Sequence, residues 1–221
     1  MLKSEMVWRE DIGLWCIDRA EKTCIHATNF CKWFCYRNNF TDVYDLTKRD
    51  ARLEPYWSDL NGFKLKTELD RKTTRKTDRV RMASLGESIF KIADIYKIKD
   101  FALANPDRLI WVPTRAWSKK RYKTILEKEL MPLDNVRLFA SLDPDHTQEQ
   151  KDTLSNWSTM FFGDDSELEF KVKRKTRKRI KCPKTWNKES GIKCNTCTGG
   201  CFESSQIDIH LKNHSKRRLK K

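Results

Sequence analysis

The residues best suited to chemistry are eight cysteines in two separated groups. Cys16, Cys24, Cys31 and Cys35 lie in the first 35 residues, and Cys182, Cys194, Cys197 and Cys201 span 20 residues near the other end. The 146 residues between the groups contain no cysteine. Thiolates hold a metal when several converge at about 2.3 Å from it, and short spacings let one turn aim neighbours at one point. The later group reads Cys182-x11-Cys194-x2-Cys197-x3-Cys201, with Pro183 directly after the first cysteine and Gly191, Gly199 and Gly200 available for tight turns. Four thiolates complete a tetrahedral zinc site or an all-cysteine iron–sulfur cluster. The plainer reading is free thiols in a tail; a disulfide scaffold spreads its cysteines through a short secreted chain, which this is not. The earlier group reads Cys24-x6-Cys31-x3-Cys35, with Cys16 eight residues upstream. Three thiolates would leave one iron of a four-iron cluster open to substrate or cofactor, whereas adding Cys16 would close the site. The spacing leaves both open. His26 could replace a thiolate, but an ordinary polar side chain is the simpler reading.

The elements that must position these groups lie in residues 80–145. Residues 80–85 read as a short strand, followed by a turn at Gly86-Glu87-Ser88. From residue 88 to 104 the apolar residues Ile89, Ile92, Ala93, Tyr96, Phe101 and Leu103 recur at roughly helical spacing. Leu109-Ile110-Trp111-Val112 is a second strand, residues 120–130 a second helix, and residues 136–140 a third strand. Further strands are expected at 157–162 and 167–172. Strand, helix, strand, helix, strand is the order of a parallel α/β unit. Residues 36–79 read as irregular and polar, and 64–81 as an exposed basic loop. The expected organisation is an α/β domain over residues 1–181 and a metal-binding segment with a basic tail over 182–221.

Functional groups of parallel α/β barrels sit at the carboxyl ends of the strands. Those ends carry Gly86-Glu87, Thr114-Arg115 and Ser141 with Asp143. An open cluster on Cys24, Cys31 and Cys35 could stand over that face. Glu87 and Asp143 read equally well as helix caps. Ser141 and Asp143 lack a suitably placed histidine for a hydrolase triad. Neither Gly-x4-Gly-Lys-Ser/Thr nor Gly-x-Gly-x2-Gly occurs, so nucleotide hydrolysis and dinucleotide binding have no support.

Three stretches resemble the phage-encoded gene product 88 family, which is related to radical SAM enzymes. They are Thr23-Cys24-Ile25-His26-Ala27-Thr28 with Cys31-x3-Cys35-Tyr36, the strands at 81–87, 109–115 and 135–143, and Cys182-Pro183 with Cys194-x2-Cys197-x3-Cys201-Phe202. Together they span most of residues 23–202. The resemblance implies a partial parallel (β/α) barrel with cysteine-rich metal-binding segments at both ends, and an iron–sulfur protein. The expected cofactor is a [4Fe–4S] cluster, with zinc as alternative and SAM as a further candidate. Leu85-Gly86-Glu87 echoes the SAM-binding Gly-Gly-Glu of radical SAM enzymes. On that reading Gly86 and Glu87 bind the cofactor's amine and Arg115 its carboxylate.

The chain has 221 residues, 46 Lys and Arg against 31 Asp and Glu, and a net charge of +15. Residues 171–181 hold eight basic residues in eleven, among them Lys173, Arg174, Lys175, Arg177, Lys178 and Arg179, and residues 212–221 hold six more. Clustered cations bind phosphates by releasing condensed counterions, so DNA or RNA is the expected partner. Trp117, beside Ser118-Lys119-Lys120-Arg121, and Trp186 could stack on bases, whereas Trp111 reads as core. An acidic host protein is the alternative partner, and a solvated tail the plainest reading. No run of about 18 apolar residues occurs, so no membrane span is expected. The start lacks the apolar core of a signal peptide, so the expected location is the cytoplasm, the host's if the protein is viral. Three functions follow: an iron–sulfur protein that binds nucleic acid or a nucleoprotein machine, a SAM-dependent radical enzyme modifying nucleic acid or a host protein, and a zinc-stabilised regulatory binding module.

Overall fold

A computed structural model describes residues 4–35, 37, 45–72, 77–163, 178–187, 190–202 and 206–212. Among these residues, eight strands form one sheet in the order β1-β2-β3-β4-β5-β6-β8-β7. The strands are β1 (Val7–Arg9), β2 (Leu14–Ile17), β3 (Arg79–Met82), β4 (Leu109–Thr114), β5 (Val136–Leu142), β6 (Ser158–Gly163), β7 (Lys178–Lys181) and β8 (Ile207–Lys212). Only the β1–β2 hairpin is antiparallel; every later pair is parallel. What holds of the expected barrel is a mixed α/β fold on a mostly parallel sheet that does not close, with β1 and β7 at its edges.

Strand alternation divides the core in two. Trp15 and Ile17 of β2, Val80 and Met82 of β3, and Ile110 and Val112 of β4 point to one face. Leu14, Cys16, Trp111 and Phe139 point to the other. Helices cover the first face: α2 (Leu46–Asp59), α3 (Gly62–Asp70), α4 (Ile92–Ala104) and α5 (Lys120–Glu129). Phe101, Trp117 and Trp157 are among its fully buried side chains, each worth roughly 1.5–3 kcal/mol on burial. The short elements of the terminal cysteine region cover the second face, with Phe202, Ile207 and Ile209 packed into it. β8 therefore lies inside the sheet, parallel to β6 on one side and β7 on the other.

The strands at 80–85, 109–112, 136–140 and 157–162 and the helices at 88–104 and 120–130 are found within a few residues of their expected bounds. The strand expected at 167–172 lies outside the described residues. Residues 36–79 are not irregular throughout, because α2 and α3 occupy 46–59 and 62–70. Asp45 and Asn61 cap these helices by accepting from the amides of Lys48 and Lys64. Leu53, Tyr56 and Trp57 of α2 are buried although Pro55 stands between them. The basic loop expected over 64–81 is likewise replaced by α3 at one end and β3 at the other.

Candidate functional site

β2 delivers the first cysteine group to the carboxyl end of the sheet, and two charged residues fix its exit. Asp18 is buried and accepts from the Ser84 hydroxyl at 2.6 Å, the Leu85 amide at 2.9 Å, Arg9 at 2.8 Å and Arg49 at 2.6 Å. Burial opposes its charge, but these cations and donors hold its carboxyl below the usual range. Arg19, also buried, donates two 2.9 Å bonds to Glu54 and one of 3.0 Å to the Ser88 carbonyl. Its guanidinium lies 4.2 Å over the Trp57 ring. The exit of β2 is thereby bound to α2 and to the loop after β3. Sequence reasoning overlooked both residues, although adjacent opposite charges directly after an apolar strand were a usable signal.

The cysteine loop hangs from three strand ends. The Thr23 hydroxyl donates to the Ala20 carbonyl at 2.7 Å and accepts from the Glu87 amide at 2.9 Å. Thr28 caps α1 (Asn29–Trp33) by accepting from the Cys31 amide at 3.0 Å, and its hydroxyl donates to Asp143 at 2.7 Å. Arg115 Nη2 lies 3.3 Å from the same Asp143 oxygen, and the Arg115 amide donates to Glu87 at 3.0 Å. The His146 ring stands 3.0 Å from the other Asp143 oxygen. A chain of polar contacts thus runs from Cys31 through Thr28, Asp143, Arg115 and Glu87 to Thr23, the residue before Cys24.

Electrostatics place the three thiols in one neighbourhood. Burial raises Cys24 to about 12, with the charges of Glu87, Cys31 and Cys35 adding to the rise. Burial also raises Cys31, against the pull of Arg115. Burial works against the Arg115 charge, but Cys31, Asp143 and Glu87 hold its pKa above the ordinary arginine value. Glu87 is raised by burial. Asp143 is held low, because the His146 bond, Arg115 and Thr28 outweigh its burial.

Glu87 and Asp143 tie loops together instead of capping helices. Glu87 accepts from the amides of Arg115 and Ile89, and Arg115 reaches toward Asp143, so the pair expected to grip a bound cofactor is engaged within the protein. Gly86 has a φ of +77°, and a Cβ there would lie 2.7 Å from the Arg19 carbonyl carbon. His26 is buried edge-on against Tyr122, ring centroids 5.1 Å apart, and neither nitrogen finds a partner among the described residues. Cys16 lies in β2, packed in the second face, where burial raises it to about 12; its neighbours place it in the core.

The later cysteines line one cavity on the second face: Cys182, Cys194, Cys197 and Cys201 surround it with Trp111 and Met160. Backbone bonds hold them there. The Cys182 amide donates to the His210 carbonyl at 2.8 Å, the Cys194 amide to Ile12 at 2.7 Å, and Arg79 to the Cys194 carbonyl at 2.8 Å. The Gly199 amide donates to Cys197 Sγ at 3.3 Å. Burial raises Cys194 to about 11 and Cys201 still further, and the neighbouring cysteines add to both rises. All eight cysteines are free thiols. The donor types suit zinc or iron. Among the described residues, however, no group of three or more His, Cys, Asp or Glu is arranged to hold a metal ion.

Of the expected nucleic-acid contacts, Lys173, Arg174, Lys175 and Arg177 lie outside the described residues. Lys178 and Arg179 belong to the edge strand β7, where Arg179 is exposed. Trp117 is not a stacking surface: it is 2% exposed, with its indole N–H on the Ser141 carbonyl. Trp111 is core, as expected. The Trp186 indole donates to the His210 carbonyl at 3.0 Å, and the ammonium groups of Lys181 and Lys212 stand 4.2 and 5.2 Å from its ring centre. No helix among the described residues is long and apolar enough to cross a membrane.

A family model described as gene product 88 matches residues 12–204. No curated protein and no solved structure matches the chain.

Proposed function

Since the chain belongs to the gene product 88 family, we propose that it is a phage-type iron–sulfur protein that works on nucleic acid or a nucleoprotein assembly. The observation that carries this reading is the polar chain suspending Cys24, Cys31 and Cys35 over the carboxyl ends of β3, β4 and β5. The charges of Cys31 and Cys35 add to the rise of Cys24, and that of Cys35 to the rise of Cys31, so ionising these thiols together is costly, and a bound cation removes that cost. Cys24, Cys31 and Cys35 would hold an open [4Fe–4S] cluster, and Cys182, Cys194, Cys197 and Cys201 a closed one. A bound cluster supplies one-electron chemistry. This chain's residues do the positioning: Thr28 and Thr23 fix the loop, and Arg115 places a permanent positive charge beside Cys31. Glu87 and Arg115 are engaged with each other's elements, which leaves the SAM-enzyme reading less support than the binding reading. The net charge of +15 supports a phosphate-rich partner.

The test is iron, sulfide and zinc analysis with a visible spectrum on protein purified without oxygen. The wild type is compared with Cys24→Ser/Cys31→Ser and with Cys194→Ser/Cys197→Ser. Broad absorbance near about 400 nm, with each pair removing its own share of roughly four irons, supports the proposal. A colourless protein with stoichiometric zinc sinks it and leaves a zinc-stabilised module, to which the four thiols around one cavity are equally suited. For the partner, affinity for random DNA or RNA should fall about 10³-fold or more between 50 and 200 mM salt, as six or more phosphate contacts require. A flat salt response removes the nucleic-acid half of the reading.

A further inference from the structure

The net charge of the chain is concentrated in two stretches. Residues 171–181 and 212–221 hold fourteen of the 46 Lys and Arg and no Asp or Glu. The rest of the chain holds 32 Lys and Arg against 31 Asp and Glu and is almost neutral. The fold brings the two stretches together. β7 ends the first and β8 leads into the second. The strands are parallel neighbours, with Lys181 paired to His210, two residues before Lys212. Clustered cations gain affinity for a phosphate backbone by releasing its counterions.

Trp186 stands at this junction. It ends the short helix Pro183–Trp186, which follows β7 after one residue, and it is half-buried. The His210 carbonyl accepts from its indole N–H at 3.0 Å and from the Cys182 amide at 2.8 Å. The His210 ring stands edge-on to the indole, ring centroids 4.7 Å apart. The Lys212 amide donates to the Thr185 hydroxyl at 3.1 Å, which ties the end of β8 to the same helix. The ammonium groups of Lys181 and Lys212 lie 4.2 and 5.2 Å from the Trp186 ring centre. Arg179, two residues before Lys181 and so on the same face of the edge strand, is exposed. Two cations therefore converge on one aromatic ring that backbone bonds already hold in place.

We propose that Trp186, Lys181 and Lys212 form a binding site for single-stranded nucleic acid, in which the indole stacks on an unpaired base and the lysines hold the flanking phosphates. This deepens the nucleic-acid half of the reading above and requires no metal. An aromatic ring among cations suits a single strand, because every unpaired base offers a π-face whatever its sequence. The bases of a duplex are already stacked on one another. When a base arrives, the ammonium groups exchange the ring for phosphate oxygens, and their charge stays with the strand. The indole is ordered beforehand, so little side-chain entropy is lost on binding.

The experiment is an anisotropy titration of the full chain with a labelled mixed-sequence single strand and with the same strand as a duplex. Trp186→Ala should weaken single-strand binding about tenfold, as the loss of one stacked base requires, and leave duplex binding within about twofold. Trp186→Phe keeps a ring but loses the bond to the His210 carbonyl, so it should retain most of the affinity; this separates stacking from a role of that bond in folding. Lys181→Met/Lys212→Met should lower the slope of log affinity against log salt by about 1.4, about 0.7 for each phosphate of a single strand. Lys48→Met/Lys128→Met, which removes two exposed lysines of α2 and α5, should change neither affinity nor slope. Equal losses on single strand and duplex in Trp186→Ala, or Trp186→Phe as weak as Trp186→Ala, overturn the stacking site. Unchanged affinity and slope in all variants also overturn it and leave the nucleic-acid reading standing. A wild type that binds neither form overturns both.

Discussion

At the residue scale, the demands of this fold are concentrated just past the strand ends. Gly86 must adopt a φ of +77°, and its Cα packs so closely on the Arg19 backbone that a Cβ has no room. Arg19 cannot move aside, because it is held by Glu54, the Ser88 carbonyl and the Trp57 ring. Gly86→Ala should therefore cost about 3 kcal/mol, combining backbone strain with a collision. Gly191 is the control, since it also has a positive φ, +62°, but nothing lies within 4 Å of the position of its Cβ. Gly191→Ala should cost only about 1 kcal/mol. Urea unfolding of the two variants reads the difference directly. Equal losses would show that the contact with Arg19 contributes nothing. The glycine after β3 thus has a structural reason that does not depend on any cofactor.

At the scale of elements, α1 has five residues and no buried side chain, so packing alone gives it little stability. What fixes it is Thr28, which caps it and reaches Asp143 at 2.7 Å. Thr28→Val removes the cap, worth about 1 kcal/mol, and a bond to a carboxylate, worth about 1.5–3 kcal/mol. Amide exchange over residues 29–34 should then approach that of unprotected backbone, while Thr28→Ser restores protection. Unchanged exchange in the valine variant would mean that the loop is held by something other than this threonine. The same element shows what the sequence could and could not reveal. Strands β3 to β6 and helices α4 and α5 were legible because their apolar residues are contiguous or keep helical spacing. The charged residues of α2, and Pro55 within it, hide the buried Leu46, Leu53, Tyr56 and Trp57, of which Tyr56 and Trp57 join the core of the first face. The carboxyl-end rule singled out Glu87, Arg115 and Asp143, which the structure joins in one polar network past those strand ends. Their bridging roles were hidden because Thr23 and Thr28 lie 64 and 115 residues from the partners they meet.

At the scale of the whole molecule, the two faces of the sheet are stabilised in different ways. The first face is covered by α2, α3, α4 and α5, which bury a continuous apolar core. The second is covered by the described residues among 178–187, 190–202 and 206–212, whose only helix of four or more residues is α7 (Pro183–Trp186). That cover meets the sheet through β8, the amide bonds of Cys182 and Cys194, and Arg137 on the Phe202 carbonyl at 2.9 Å. On the proposed metal-bound reading, ligation of its four thiols adds to its ordering, because a metal bound only in the folded state adds its binding free energy to folding. Stripping the metal with a chelator under reducing conditions should therefore loosen one face and spare the other. Dye binding to apolar surface should rise as Trp111, Phe139 and Met160 become accessible, and proteolysis should cut within 182–202. Far-UV circular dichroism should change little, since the helices lie on the opposite face. If dichroism and dye binding instead changed together in one transition, β8 would be holding both faces as a single unit. That outcome is physically reasonable, because β8 lies between β6 and β7 and its loss would expose the β6 edge. The separable outcome is the expected one: β2 to β6 form their own continuous ladder, and the hydrogen bonds of Asp18 and Arg19 tie the end of β2 to β1, α2 and the loop after β3.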